Sequence, residues 1–158
     1  MRESKPKYIA QSDVRKIPKR VTFASAKDVA QAMQDLAGSD VENFVIFSMT
    51  IRNSVIARHT IAVGSLSGVE VHPRSVFRRL LADNAAVWIC AHNHPSNDPS
   101  PSPEDLELTH RLTQASELLG IQLLDHVIVT QEGGYVSLAE RNQLRKLCET
   151  ETIEGAGS

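Results

Sequence analysis

Ala86-Val87-Trp88-Ile89-Cys90-Ala91-His92-Asn93-His94-Pro95 is the stretch on which the fold of this chain turns. Its first half is an apolar run with the length and makeup of a buried strand. Residues i and i+2 of a strand face the same side. His92 and His94 therefore present two imidazoles side by side, and Asn93 faces the other way. Pro95 cannot continue a central strand, so the chain turns there. Asp105 follows a short loop later and opens a helix. Two imidazoles and a carboxylate, meeting at a strand end and a helix start, form a three-ligand zinc set with a fourth position left for water. Ser102-x-x-Asp105 also fits a helix-capping box, in which two side chains satisfy backbone donors. The conjunction of H-x-H-P with S-x-x-D is what favours a metal.

Outward from that strand, helical and strand patterns interleave. Ser25-x-x-Asp28 is a capping signal, Val29, Met33 and Leu36 follow at helical spacing, and Gly38 stops the helix. Phe44 to Met49 reads as a central strand, Arg52-Asn53-Ser54 as a turn, and residues 55–63 as its hairpin partner. Gly64 to Gly68 is a loop. Pro73 suits a first helical turn, and Val76, Phe77, Leu80 and Leu81 give that helix an apolar stripe. After the loop from 95 to 102, Leu108, Leu112, Ala115 and Leu119 mark one face of a helix that Gly120 ends. Ile121 to Val129 is a second core strand, a turn at 131–134 leads into Tyr135-Val136-Ser137, and a last helix runs from about Leu138 to Cys148. Helices interleaved with a hairpin-containing sheet predict an α/β fold, a mixed β-sheet sandwiched by helices.

The 158 residues suffice for one domain with a hydrophobic core. The expected division is a basic flexible arm over 1–24, the domain over 25–148 and a disordered acidic, Gly-rich tail over 149–158. A net charge of −2 does not mark a general nucleic-acid binder. The arm, however, holds Arg2, Lys5, Lys7, Arg15, Lys16, Lys19 and Arg20, which can touch phosphates or acidic partners or simply be solvated. Cys90 and Cys148 stand far apart, so neither a disulfide framework nor a Cys-x-x-Cys zinc pair is available. Cys90 reads as an inert core residue. No stretch reaches the ~18 apolar residues of a membrane span, and no apolar segment follows the basic start as in a secretory signal. A cytoplasmic protein is expected.

A catalytic zinc needs a proton acceptor beside its water that is not itself a ligand, and a carboxylate fits. Glu42, Glu70 and Glu104 are the candidates, and spacing does not choose among them. The string H-x-H-P-x6-S-x-x-D with an upstream glutamate resembles the JAB/MPN metalloprotease motif, also called JAMM. More closely, His92 to Pro99 with Pro101-Ser102, His72-Pro73-Arg74, Asp83-Asn84-Ala85-Ala86, Leu124-Asp125-His126 and Tyr135-Val136-Ser137-Leu138 resemble the RadC family of bacterial proteins over about residues 25–147.

The resemblance implies that His92, His94 and Asp105 bind one zinc ion per chain. It implies that Glu42 deprotonates the zinc-bound water and that Ser102 donates a hydrogen bond to the oxyanion as an amide carbonyl is attacked. It implies a cytidine-deaminase-like α/β fold and a peptide or protein substrate cleaved at a peptide or isopeptide bond. The family commonly has Gly where Asn97 stands, and Asn tolerates a left-handed backbone. Full-length members also carry an N-terminal helix-hairpin-helix region that uses glycine. The first glycine here is Gly38, so the chain is expected to be a short form. Asp125 and His126 match the family as well. His126 alternates with apolar neighbours and reads as a satisfied structural histidine. Asn93 could brace a ligand or hold the loop. His59, His72 and His110 are assigned no function.

Two other readings compete. A DNA-repair factor or metal-dependent nuclease should group basic residues about the site. The loop and helix start from 95 to 107 carry Asp98, Glu104, Asp105 and Glu107 without Lys or Arg, and nearby cations would have to be Arg74, Arg78 and Arg79. A non-catalytic binding module would not need the intact ligand set. A zinc nucleobase deaminase needs H-x-E followed by P-C-x-x-C, and neither is present.

Overall fold

A computed structural model describes residues 21–64 and 71–149, the side chains of 147–149 excepted. Most of the basic arm, Glu70, the loop beyond Gly64 and the acidic tail from residue 150 lie outside the described residues. In chain order the elements are α1 (Ala26–Ala32), α2 (Gln34–Ala37), β1 (Asn43–Met49), β2 (Val55–Val63), α3 (Pro73–Ala82), β3 (Val87–Asn93), α4 (Pro103–Leu119), β4 (Gln122–Val129), β5 (Tyr135–Ser137) and α5 (Gln143–Glu149).

The five strands form one mixed sheet in the order β2-β1-β3-β4-β5. The pairs β2·β1, β1·β3 and β4·β5 are antiparallel, and β3·β4 is parallel. Every residue of β3 is buried, as its apolar run requires. Alternation then sorts its side chains. Val87, Ile89 and Ala91 join Val45, Phe47, Met49 and the buried face of α1 in one core. Trp88 and Cys90 join Phe44, Ile46 and residues of α3, α4 and α5 in the other. The Trp88 indole N–H, buried in the second core, donates to Ser116 Oγ at 2.9 Å.

Because β3 and β4 are parallel neighbours, α4 must cross from one end of the sheet to the other. Its N-terminus therefore stands at the carboxyl end of β3, where open α/β sheets hold their ligands.

The structure corrects five expectations. The domain takes in residues before Ser25: Phe23 is buried in the first core, and Val55 N donates to Val21 O at 2.8 Å. The first helix is broken at Met33 (φ −97°, ψ 1°) into α1 and α2. The last helix begins at Gln143, not Leu138. The Asp125 carboxylate accepts from Ala139 N at 3.0 Å, and Ser137 Oγ accepts from Glu140 N at 3.0 Å, which hold residues 138–142 as turns. The buried face of α4 carries Asp105, Thr109, Leu112, Thr113 and Ser116, while Leu119 is exposed and Leu108 and Ala115 are only partly buried. On α3, Val76, Phe77 and Leu80 are buried as expected, and Leu81 is exposed.

Candidate metal centre

His92 leaves β3 on the α3/α4 side of the sheet, opposite Phe44 in the β1·β3 register. Phe44 stacks against it with ring centroids 6.2 Å apart. His94 lies one step beyond the strand, its backbone N–H bonded to Val129 O at 2.9 Å. Asp105 comes from the first turn of α4. One donor atom from each of the three residues falls within 4.8 Å of the others, and all three residues are buried. The strand end and helix start thus meet as the sequence predicted.

The local chemistry aims these atoms at one another. His94 Nδ1 is 2.7 Å from Asp98 O. A carbonyl only accepts, so Nδ1 carries the proton and, in neutral imidazole, Nε2 keeps its lone pair. That Nε2 lies 2.9 Å from His92 Nε2 and 3.2 Å from Asp105 Oδ2. Asp105 Oδ1 is 3.2 Å from His92 Nε2. The geometry there is not that of a hydrogen bond, and this buried oxygen accepts none from the described residues. An imidazole lone pair and two carboxylate oxygens converging on the His92 nitrogen, one of those oxygens without a hydrogen bond, is an arrangement that a cation relieves. Two imidazoles and a carboxylate suit zinc among the divalent ions.

The charges respond to the crowding. Burial pushes the Asp105 carboxyl up, but the adjacent imidazoles of His92 and His94 and the Ser102 N–H outweigh it and hold the group well below the usual carboxylate range. The Asp105 carboxylate raises His94. Burial opposes that rise, and the Asp98 carbonyl and the Glu42 charge add to it. Cys90, beneath the site, has its thiol pushed well up by burial and by Asp125, which fits an inert core residue.

Ser102 and Asp105 form the capping box and serve the site through it. Ser102 N donates to Asp105 Oδ2 at 2.9 Å, and Asp105 N donates to Ser102 Oγ at 3.1 Å. The box fixes the carboxylate and spends only an acceptor site of the Ser102 hydroxyl, whose proton remains available. Glu42 immediately precedes β1, and its carbonyl accepts Gly64 N at 2.7 Å. It is not one of the clustered donors, and its charge reaches His94. Glu104, the alternative base, is exposed at the start of α4.

Asn93 holds the segment that bears Glu42. Its Oδ1 accepts from Asn43 N at 2.7 Å, and its Nδ2 donates to Val41 O at 2.9 Å. Asn97 has φ 61°, the left-handed backbone expected of it. His126 is fully buried and lies outside the three-residue cluster, but its partner is a surprise. Its Nε2 is 2.8 Å from His92 Nδ1, and its Nδ1 is 2.6 Å from Thr109 Oγ1. Burial pushes this imidazole down to about 3, and the charge of His92 acts in the same direction. Thr109 itself was not foreseen: it sits one helical turn beyond Asp105, where a polar residue gives no apolar periodicity.

Comparison with known proteins finds a family. Residues 23–144 match the RadC-like JAB domain family. A UPF0758 protein of Shouchella clausii is 47% identical over 123 residues, which are 77% of this chain and 53% of that protein. One from Halalkalibacterium halodurans is 44% identical over 126 residues, 79% of this chain and 54% of that protein. The UPF0758 protein YsxA of Bacillus subtilis is 44% identical over 112 residues, 71% and 48% of the two chains. The chain thus spans about half the length of the curated relatives it matches. Among the described residues, no helix is long and apolar enough to cross a membrane.

Proposed function

The chain belongs to the RadC-like JAB domain family, and from that premise we propose that it is a zinc-dependent hydrolase of JAMM type that cleaves a peptide or isopeptide bond. The observation that carries the reading is the convergence of His92 Nε2, His94 Nε2 and the Asp105 carboxylate, with an orphaned buried oxygen among them. When bound, the ion supplies Lewis acidity and lowers the pKa of water to about 7.

The protein's own groups do the rest. Glu42, held at the mouth of β1, takes the proton from the attacking water and returns it to the leaving amine. Ser102 turns its free hydroxyl proton toward the oxygen on which negative charge develops. Asp105 stays ionised throughout, since its carboxyl is held below the usual range. Phe44 and the buried walls of β3 keep bulk water from the imidazoles. Under this reading the partner is a peptide or protein substrate and the compartment is the cytoplasm. Direct nucleic-acid contact would fall to the basic arm.

The test compares wild type, His94→Ala and Glu42→Gln on peptide, isopeptide and DNA substrates at controlled zinc. Wild type should hold about one zinc per chain, His94→Ala should lose it, and Glu42→Gln should keep it while losing hydrolysis. A Glu42→Gln protein that loses zinc makes Glu42 a ligand and overturns the mechanism. Cleavage of DNA alone overturns the substrate class.

A further inference from the structure

We infer that Thr109 and His126 are positioning residues that fix the tautomer of His92, so that its Nε2 faces Asp105 and His94 as a bare lone pair. The inference rests on the metal-centre reading above and extends it to residues on a different strand and helix turn.

The argument begins at a group that cannot donate. Thr109 Oγ1 lies 2.6 Å from the backbone carbonyl oxygen of Asp105. Two oxygens so close require a proton between them, and only the hydroxyl has one. With that proton committed, Thr109 Oγ1 can only accept from His126 Nδ1, which lies 2.6 Å away. His126 therefore carries its proton on Nδ1, and its Nε2 is an acceptor. The contact of 2.8 Å between His126 Nε2 and His92 Nδ1 must then be donated by His92. A neutral His92 with its proton on Nδ1 has none on Nε2. The direction set at one backbone carbonyl passes through a hydroxyl and two imidazoles to the ligand atom.

The elements supply the alignment. Asp105 and Thr109 are one turn apart on the same face of α4. His126 pairs in register with Cys90, two residues from His92 on the adjacent parallel strand, so both imidazoles face α4. Phe44 packs on both rings, with centroids 6.2 Å from His92 and 5.8 Å from His126. His92, His126 and Thr109 are completely buried, so water does not compete for these bonds. Without the hydroxyl the chain can reverse. His126 would place its proton on Nε2, His92 would accept at Nδ1, and the His92 Nε2 proton would point at Asp105 Oδ1. A cation would then have to undo that arrangement before binding. Partners that orient a ligand in this way typically change metal affinity 10–100-fold when removed.

The test uses the full chain with Thr109→Val, which keeps the volume and removes the hydroxyl, and Thr109→Ser, which keeps the hydroxyl. Long-range proton–nitrogen NMR of metal-free wild type should show His92 and His126 protonated on Nδ1. Thr109→Val should shift His92 toward the Nε2 form and weaken zinc binding about 10–100-fold in competition with a chromogenic chelator. Thr109→Ser should restore both. Thermal melts confirm that each variant is folded. A metal-free wild type with His92 protonated on Nε2, or a folded Thr109→Val protein with wild-type zinc affinity, overturns the inference. A wild type that takes up no zinc overturns the metal-centre reading and the relay's purpose with it. That failure is told apart from failure of the relay because the tautomers are read without metal.

Discussion

Replacing Asn93 with Ala should damage the protein at the joint between its fold and its chemistry. Asn93 is fully buried at the end of β3. Its side chain accepts from Asn43 N at 2.7 Å and donates to Val41 O at 2.9 Å, with longer contacts to Asn43 Nδ2 at 3.3 Å and Ser39 O at 3.4 Å. The substitution deletes two well-formed hydrogen bonds and leaves the N–H of the buried Asn43 without its acceptor. Such a bond contributes about 1 kcal/mol, and an unpaired buried donor costs about 1–3 kcal/mol, so the loss should be roughly 3 kcal/mol. For a domain of this size that lowers Tm by about 6–12 °C. Glu42 lies between Val41 and Asn43, so turnover should fall as well. Zinc affinity should hold within about tenfold, because the backbone of His92 and His94 stays tied to β1 and β4. Thermal melts, chelator competition and hydrolysis on one protein preparation separate the three quantities. A Tm within 2 °C of wild type, or zinc affinity lost more steeply than turnover, would refute the reasoning.

Three further outcomes are expected. Ser116→Ala leaves the buried Trp88 indole N–H unpaired and should cost about 1–3 kcal/mol in a urea melt, with zinc affinity unchanged. At Asn97, with φ 61°, Gly should be tolerated and Val should destabilise by about 1 kcal/mol or more in the same assay. The metal-free protein should weaken in mild acid through His126. Its folded pKa of about 3 lies below the ordinary value, so its stabilisation is complete above pH ~6.5 and is lost toward pH 3. The slope is about 1.4 kcal/mol per pH unit. His94 is raised and acts in the opposite sense, stabilising in acid and losing that contribution as pH rises through its folded value. That change falls above pH ~6.5, so the acid slope below it belongs to His126. Asp105, held low, adds its own loss only below pH ~4.

What was legible in the sequence is what local chemistry dictates. The apolar run of β3, the turn at Pro95, the Ser102 cap and the Gly120 stop are decided by neighbours in the chain, and the structure has each of them. The three positions expected to bind a metal follow from strand alternation and a helix start, and their donor atoms lie close together. The inward face of α4 was not legible, because a search for apolar periodicity passes over Asp105, Thr109, Thr113 and Ser116. Thr109 and Ser116 face the sheet and bond His126 and Trp88 there, while the Thr113 hydroxyl turns back onto Thr109 O of its own helix. His126 reads correctly as a satisfied histidine, but its partner is set by the parallel β3·β4 register, and no local pattern in the sequence states that register. The turns after β5 depend in the same way on Asp125, which is distant in sequence.

Under the proposed function, the ligands and the base reach the centre by routes of very different length. His92, His94 and Asp105 lie within one strand–loop–helix passage, and closing so short a loop carries a small entropic cost. Glu42 arrives only when β1 docks antiparallel on β3, a pairing of residues about fifty positions apart. On that reading, ion capture would precede the arming of the site during synthesis. A nascent chain that has made only β3 and the first turn of α4 could hold its ion yet lack the group that draws a proton from water. Under the proposed function, hydrolytic competence would be a property of the completed sheet, which would spare the half-folded chain and its neighbours from a premature blade.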